Sequence, residues 1–217
     1  MIRAVVFDLD GTLIDSIDAH AISWITAYRL LGYGNVPISE VKKYIGVRGD
    51  LITEKVLGGN ALKDYGKIRI LKDRVFLKLA RDGVVSVYPD THHVLRVLKD
   101  RGLKLCLATS TNIPTLLPIL EHFKLVDFFD AVVAGEEVLR SKPEPDLFLE
   151  ALRRVGVDPN DSLVVGDTLY DVIPSKKIGA VSVLLVRPGN DASMIREHAM
   201  PDYVINDLRG LIDIAFR

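Results

Sequence analysis

The chain has one cysteine, no apolar run long enough to cross a bilayer and no excess of either charge. A lone Cys106 can form neither an intramolecular disulfide nor a cysteine-rich metal site. It stands in the apolar run Leu105-Cys106-Leu107, where a buried, inert thiol is expected. Lys and Arg number 28 against 29 Asp and Glu, for a formal net charge of −1. That balance supplies no general electrostatic drive toward nucleic acid, and no nucleic-acid partner is expected. Without a membrane-length apolar stretch no membrane partner is expected either. The N-terminal segment acquires a carboxylate at Asp8, too early for a secretory signal, so a soluble cytoplasmic protein is expected. Internal repeats, low-complexity tracts and long charge runs are also missing. What remains is 217 residues, 48% of them apolar and 26% charged, which is ample for a packed core and excludes a fully disordered chain.

Two kinds of segment alternate along that length. Short runs rich in Val and Leu end abruptly in polar residues: Ala4–Phe7, 103–108, Ala131–Ala134, 163–165 and 181–186. Between several of them lie segments of helical period. Val94, Leu95, Val97 and Leu98 form one stripe, closed by the stop signal Arg101-Gly102. Phe148, Leu152 and Val155 form another, with Pro145 at a suitable first helical position. Buried strands alternating with amphipathic helices predict a parallel sheet covered on both faces, an α/β fold of Rossmann-like kind.

Residues 15–87 break the alternation. Ile17, Ala21, Trp24, Tyr28 and Leu31 keep a helical spacing up to Gly32, and further helices are expected near 39–44, 51–57 and 62–80. This predicts an all-helical insert after the first strand, with Tyr88-Pro89-Asp90 returning the chain to the main domain. The expected division is a core of 1–14 and 88–217 and an insert of 15–87. A short strand at Tyr203–Ile205 and a helix over 208–216 complete the reading.

In an open parallel sheet, ligands bind beyond the carboxyl ends of the strands. The polar residues expected there are Asp8, Asp10, Thr109, Ser110, Asp167 and Asp171, with Lys142 in a loop stiffened by Pro143 and Pro145. Asp8 and Asp10 are two apart, so in extended backbone they point the same way and together invite a cation. Asp167, from a distant strand, completes an oxygen-only site of the kind magnesium takes while keeping waters and phosphate oxygens. Thr109 has two readings, a cap for the helix beginning near Ile113 or part of a phosphate cradle.

Asp8-Leu9-Asp10-Gly11-Thr12-Leu13-Ile14-Asp15-Ser16 resembles the first signature of the haloacid dehalogenase superfamily. Ala108-Thr109-Ser110, Ser141-Lys142-Pro143 and Gly166-Asp167-Thr168-Leu169-Tyr170-Asp171 resemble its second, third and fourth, in the same order. The insert resembles the small cap of the phosphoglycolate phosphatase and β-phosphoglucomutase branch. The resemblance implies that Asp8 attacks phosphorus to form an aspartyl-phosphate, while Asp10, held protonated, serves as general acid and then base. It implies Mg2+ bound by Asp8, the Asp10 carbonyl and Asp167, with Asp171 as ligand or support. Thr109, Ser110 and Lys142 would hold the phosphoryl oxygens. A second aspartate also argues against dehalogenation, whose branch lacks it.

Two cap residues stay open. His20 lies one turn from Trp24 and is read either as overhanging the site, as in similar sugar-phosphate mutases, or as a neutral surface histidine beside a packed Trp24. Arg48, in a Gly46-Val47-Arg48-Gly49 loop that resembles the one dipping toward substrate in capped relatives, is either an anion binder or a solvated side chain. The leading expectation is a magnesium-dependent phosphatase of a small phosphorylated metabolite, phosphoglycolate or a sugar phosphate. A sugar-phosphate mutase is the alternative; a phospho-receiver or noncatalytic binder is the distant one. Oligomeric state, monomer or homodimer, is undetermined by the sequence.

Overall fold

The structure is a computed structural model that describes residues 1–188 and 193–217. Its centre is a six-stranded parallel sheet built from β1 (Ala4–Phe7), β4 (Lys104–Thr109), β5 (Ala131–Ala134), β6 (Ser162–Gly166), β7 (Val181–Leu185) and β8 (Tyr203–Ile205), in the order β5-β4-β1-β6-β7-β8. Chain direction across the sheet reverses at β1, which has β4 on one side and β6 on the other. Ligands gather at such a point in open α/β sheets. Phe7 is in register with both Leu107 and Val165, so the residues following all three strands emerge at one rim.

The alternation of β1 explains its two-sided burial. Val5 and Phe7 join an apolar cluster with Leu105, Leu107, Leu163 and Val165, covered by Val94, Leu95 and Leu98 of α5 (Thr91–Asp100) and by Leu116 of α6 (Ile113–His122). Ala4 and Val6 face the other way, toward Cys106, Val164 and the Leu147, Phe148 and Leu152 stripe of α7 (Asp146–Val155). Pro145 precedes α7 as its N-cap, one position earlier than the sequence reading placed it. Cys106 is fully buried and burial pushes its thiol up to about 12, so it is inert as expected.

The insert is helical: α1 (Ile17–Leu30), α2 (Ile38–Lys42), α3 (Gly49–Leu57), a 3-10 turn at Gly59–Asp64 and α4 (Tyr65–Arg81). Trp24, Tyr28, Val41, Ile52 and Ile68 give it an apolar cluster of its own. A feature absent from the sequence reading is the neck. β2 (Ile14–Asp15) and β3 (Ser86–Val87) pair antiparallel, Ile14 with Val87 and Asp15 with Ser86, so the outgoing and returning chains are laced together. Two-residue strands carry too little periodicity to be seen in sequence. The remaining helices are α8 (Leu169–Lys177), α9 (Ser193–Ala199) and α10 (Gly210–Ala215). Among the described residues, no helix is long and apolar enough to cross a membrane.

Candidate active site

Asp8 continues β1, its N–H donating to the Val165 carbonyl at 3.0 Å. Lys142 is wholly buried and donates to Asp8 Oδ1 at 2.5 Å, while its Nζ lies 2.7 Å from Asp171 Oδ1. Burial works against the ammonium, but Asp171 and Asp8 more than offset it and hold Lys142 protonated. Asp8, Asp167 and Asp171 each bring a carboxylate oxygen within 4.8 Å of the others. Asp171 divides its two oxygens. Oδ2 accepts the Thr168 hydroxyl at 2.7 Å and N–H at 3.2 Å at the start of α8, whereas Oδ1 has no hydrogen-bond alignment with any group.

Two buried carboxylates, Asp8 and Asp171, and the half-buried Asp167 beside one lysine are under-neutralised. Burial pushes Asp8 up to about 7; Lys142 pulls it down, and Asp171 and Asp10 push it up. Burial, then Asp8 and Asp171, likewise raise Asp167, against the Thr12 hydroxyl that donates to it at 3.1 Å. An all-oxygen set with surplus negative charge and an unaligned Asp171 oxygen fits a hard divalent cation. The backbone is cut to make this cluster possible. A Cβ on Gly11, where φ is +80°, would stand 2.3 Å from Asp167 Oδ2, and one on Gly166 would stand 2.2 Å from Asp171 Cγ.

Asp10 stands outside that group, and its state differs from the expectation. Its Oδ1 accepts the Ser16 hydroxyl at 2.6 Å and meets His20 Nε2 at 2.8 Å, while Oδ2 accepts the Thr111 hydroxyl at 2.8 Å. Burial would raise Asp10, but His20, Ser16 and Thr111 together hold it well below the usual carboxylate range. The resting group is therefore ionised, not protonated: three donors converge on it. Ser16 and Thr111 were missed in the sequence, although Ser16 closes the first motif.

His20 is buried, stacked on Phe76 at 3.9 Å between ring centroids, so the surface reading fails. Burial, reinforced by Lys72, lowers its basicity against the pull of Asp10. Neutral His20 then donates one N–H to the Asp10 carboxylate. Trp24 packs the cap core and also borders the cleft. Asn112, not Thr109, caps α6, accepting from the Thr115 N–H at 3.1 Å. Thr109 is thereby free of that duty and accepts the Thr111 N–H at 3.1 Å. The Ser110 hydroxyl bridges to the cap, donating to the Gly46 carbonyl at 2.8 Å, instead of standing free as a phosphate ligand.

A cleft of about 310 Å³ lies between core and cap. Asp8, Asp10, His20, Thr109 and Ser110 border it, and so does Arg48. The Arg48 guanidinium is already engaged in a two-point pair with Asp50, Nε to Oδ1 at 2.8 Å and Nη2 to Oδ2 at 2.6 Å. The expected anion binder is thus partly solvated but not free, because its partner two residues on lies on the same turn. Sequence reading also missed Arg69, Lys72 and Asp73, cap residues that line the cleft. Helical spacing alone does not tell which polar face of α4 looks inward.

This constellation, four rim carboxylates, a buried lysine and a capped cleft at the sheet's switch point, defines a class of phosphate-handling hydrolase. The chain belongs to the haloacid dehalogenase-like hydrolase family, whose model matches residues 5–185. Its kin lie in the phosphoglycolate phosphatase-like branch, and the enzyme is a phosphatase. Phosphoglycolate phosphatase of Escherichia coli (strain K12) is 32% identical, the match covering 97% of this chain and 91% of that one. Phosphoglycolate phosphatase 1 of Pseudomonas aeruginosa is 30% identical over 98% of this chain and 79% of the relative. A hydrolase from Pseudomonas syringae superimposes with a TM-score of 0.85 at 26% identity, covering 99% of each chain. β-Phosphoglucomutase from Clostridium difficile shares the fold, with a TM-score of 0.83 at 18% identity over 97% of this chain and 93% of that one.

Proposed function

We propose that the enzyme hydrolyses a small phosphate monoester through an aspartyl-phosphate on Asp8, with Mg2+ as its divalent cation. The observation that carries this reading is Asp8 itself. It is a buried carboxylate at the switch point, oriented by Lys142 and bordering the 310 Å³ cleft. In this reading residues 15–87 form the cap and residues 1–14 and 88–217 the core.

Asp8, Asp167 and Asp171 would hold the cation, which neutralises charge on the phosphoryl group when bound. The Asp8 carboxylate attacks phosphorus in line as the bond to the leaving oxygen breaks. Lys142 and the Thr109 region offset the charge on the equatorial oxygens. Asp10 supplies the proton to the leaving alkoxide. A phosphate dianion arriving beside it opposes its ionised form and raises its proton affinity toward that task. Once the alcohol leaves, Asp10 is a carboxylate again, the state its three donors favour, and takes a proton from the water that attacks phosphorus. The P–O bond to Asp8 then breaks and phosphate departs. His20 keeps Asp10 aimed by its hydrogen bond.

The test is turnover of para-nitrophenyl phosphate with Mg2+ and with EDTA, joined to rapid acid quench with radiolabelled substrate. Label on the wild-type chain, and none on Asp8→Asn, supports the pathway. Cation-dependent turnover without a phospho-enzyme would replace it with direct attack by water.

A further inference from the structure

The side of the cleft lined by the cap is charge-balanced by the protein itself. Three cations border it, and each has its own carboxylate: Arg48 with Asp50 at 2.6 Å, Arg69 with Glu136 at 3.2 Å, and Lys72 with Asp73 at 3.3 Å. Asp73 also accepts from Asn112 Nδ2 at 2.9 Å. The Arg48 and Lys72 pairs join neighbours within the cap, and Arg48 Nη1 also donates to the Leu139 carbonyl at 3.4 Å. The Arg69 pair spans from α4 to the loop after β5.

A carboxylate or second phosphate on the leaving alcohol must shed water to enter. Inside, it meets one fixed carboxylate for every cation, so the attraction that would offset its desolvation is largely cancelled. Hydroxyl groups face no such conflict. The paired carboxylates keep lone pairs that accept from a hydroxyl, and the guanidinium groups keep N–H donors. Trp24 and Tyr65 border the same space and offer apolar faces to carbon-bound hydrogens. We propose that this enzyme selects phosphate monoesters whose leaving alcohol is neutral and hydroxyl-bearing, a small polyol or sugar, and discriminates against those carrying a second anionic group. The inference rests on the hydrolase reading above, and it sets this chain apart from relatives named for phosphoglycolate.

Two matched pairs of substrates isolate the effect, because each differs by a hydroxymethyl in place of a carboxylate. They are glycerol 3-phosphate against 3-phosphoglycerate, and 2-hydroxyethyl phosphate against 2-phosphoglycolate. In each pair kcat/KM favours the hydroxyl member by about tenfold or more, where tenfold corresponds to about 1.4 kcal/mol. Asp50→Asn releases Arg48 and narrows the gap several-fold by improving the carboxylate members. Arg48→Ala added to that variant reverses the gain. Glu136→Gln, which releases Arg69, serves as an independent variant where Asp50→Asn folds poorly, and para-nitrophenyl phosphate turnover normalises every variant for intact chemistry. Wild-type preference for the carboxylate members, or a ratio unmoved by both Asp50→Asn and Glu136→Gln, overturns the proposal. Failure to hydrolyse any monoester, para-nitrophenyl phosphate included, refutes the hydrolase reading itself and the proposal with it.

Discussion

Stripping divalent cations from the enzyme exposes the electrostatic cost of its site, and pH is the variable that reads it out. In the cation-free protein, Asp8 is raised from 3.8 to about 7 by burial and by its neighbours, and Asp167 is raised by the same causes. Between about pH 4 and pH 7 the folded chain therefore holds more protons at these groups than the unfolded chain, so stability falls as pH rises. The rise of Asp8 from 3.8 to about 7 corresponds to at most about 4 kcal/mol. His20 works in the opposite direction below its ordinary value of 6.5, because burial lowers it. His20 therefore offsets part of the loss below pH 6.5, and the loss ends shortly above pH 7. Asp10 is held low and Lys142 high, so both keep their charge throughout the window. For a chain of this size 1 kcal/mol moves Tm by about 2–4 °C. About 3 kcal/mol of the Asp8 effect lies above pH 5 and His20 offsets part of it, so metal-free protein should lose roughly 5 °C between about pH 5 and pH 8. Cation binding requires ionised carboxylates, so millimolar Mg2+ should restore more stability at each higher pH. Calorimetry in EDTA and in Mg2+ measures both curves, with Asp8→Asn as the control whose metal-free curve is flatter. A metal-free Tm that stays level or climbs over this range, or a wild-type slope matched by Asp8→Asn, would refute the reasoning.

Three further outcomes are expected. Lys142→Met leaves Asp8 and Asp171 buried without their counter-ion, so it should destabilise the fold by about 3–5 kcal/mol and abolish turnover; a urea midpoint equal to wild type would contradict the buried pairing. Asp167→Asn should weaken Mg2+ binding by about tenfold or more while leaving secondary structure intact, as followed by calorimetric titration and circular dichroism; an unchanged titration would remove Asp167 from the cation site. Gly11→Ala places a side chain at φ +80° and against Asp167, so it should cost about 1–2 kcal/mol and lower cation affinity; normal affinity in a stable variant would show that Asp167 can move without consequence.

The amino-acid sequence alone sets the frame of this enzyme, because local signals suffice for it. Apolar runs such as Ala4–Phe7 and 163–165 can only be strands buried on both faces, and they end in polar residues where the sheet ends. The order of the carboxylates and Lys142 along the chain then places them on one rim. The helical period of Ile17, Ala21, Trp24 and Tyr28 reports the first cap helix for the same reason: a stripe of apolar residues must be covered. What tertiary structure decides is the state of each side chain once distant segments meet. Asp10 is ionised because Thr111, 101 residues away, joins Ser16 and His20 in donating to it. Lys142 becomes fully buried between Asp8 and Asp171, and Thr109 is relieved of capping by Asn112. Arg48 reaches Asp50 instead of waiting for substrate, because a rotamer and a turn bring the two together. Burial and hydrogen-bond geometry depend on partners in three dimensions, and spacing along the chain carries no record of which donor faces which acceptor.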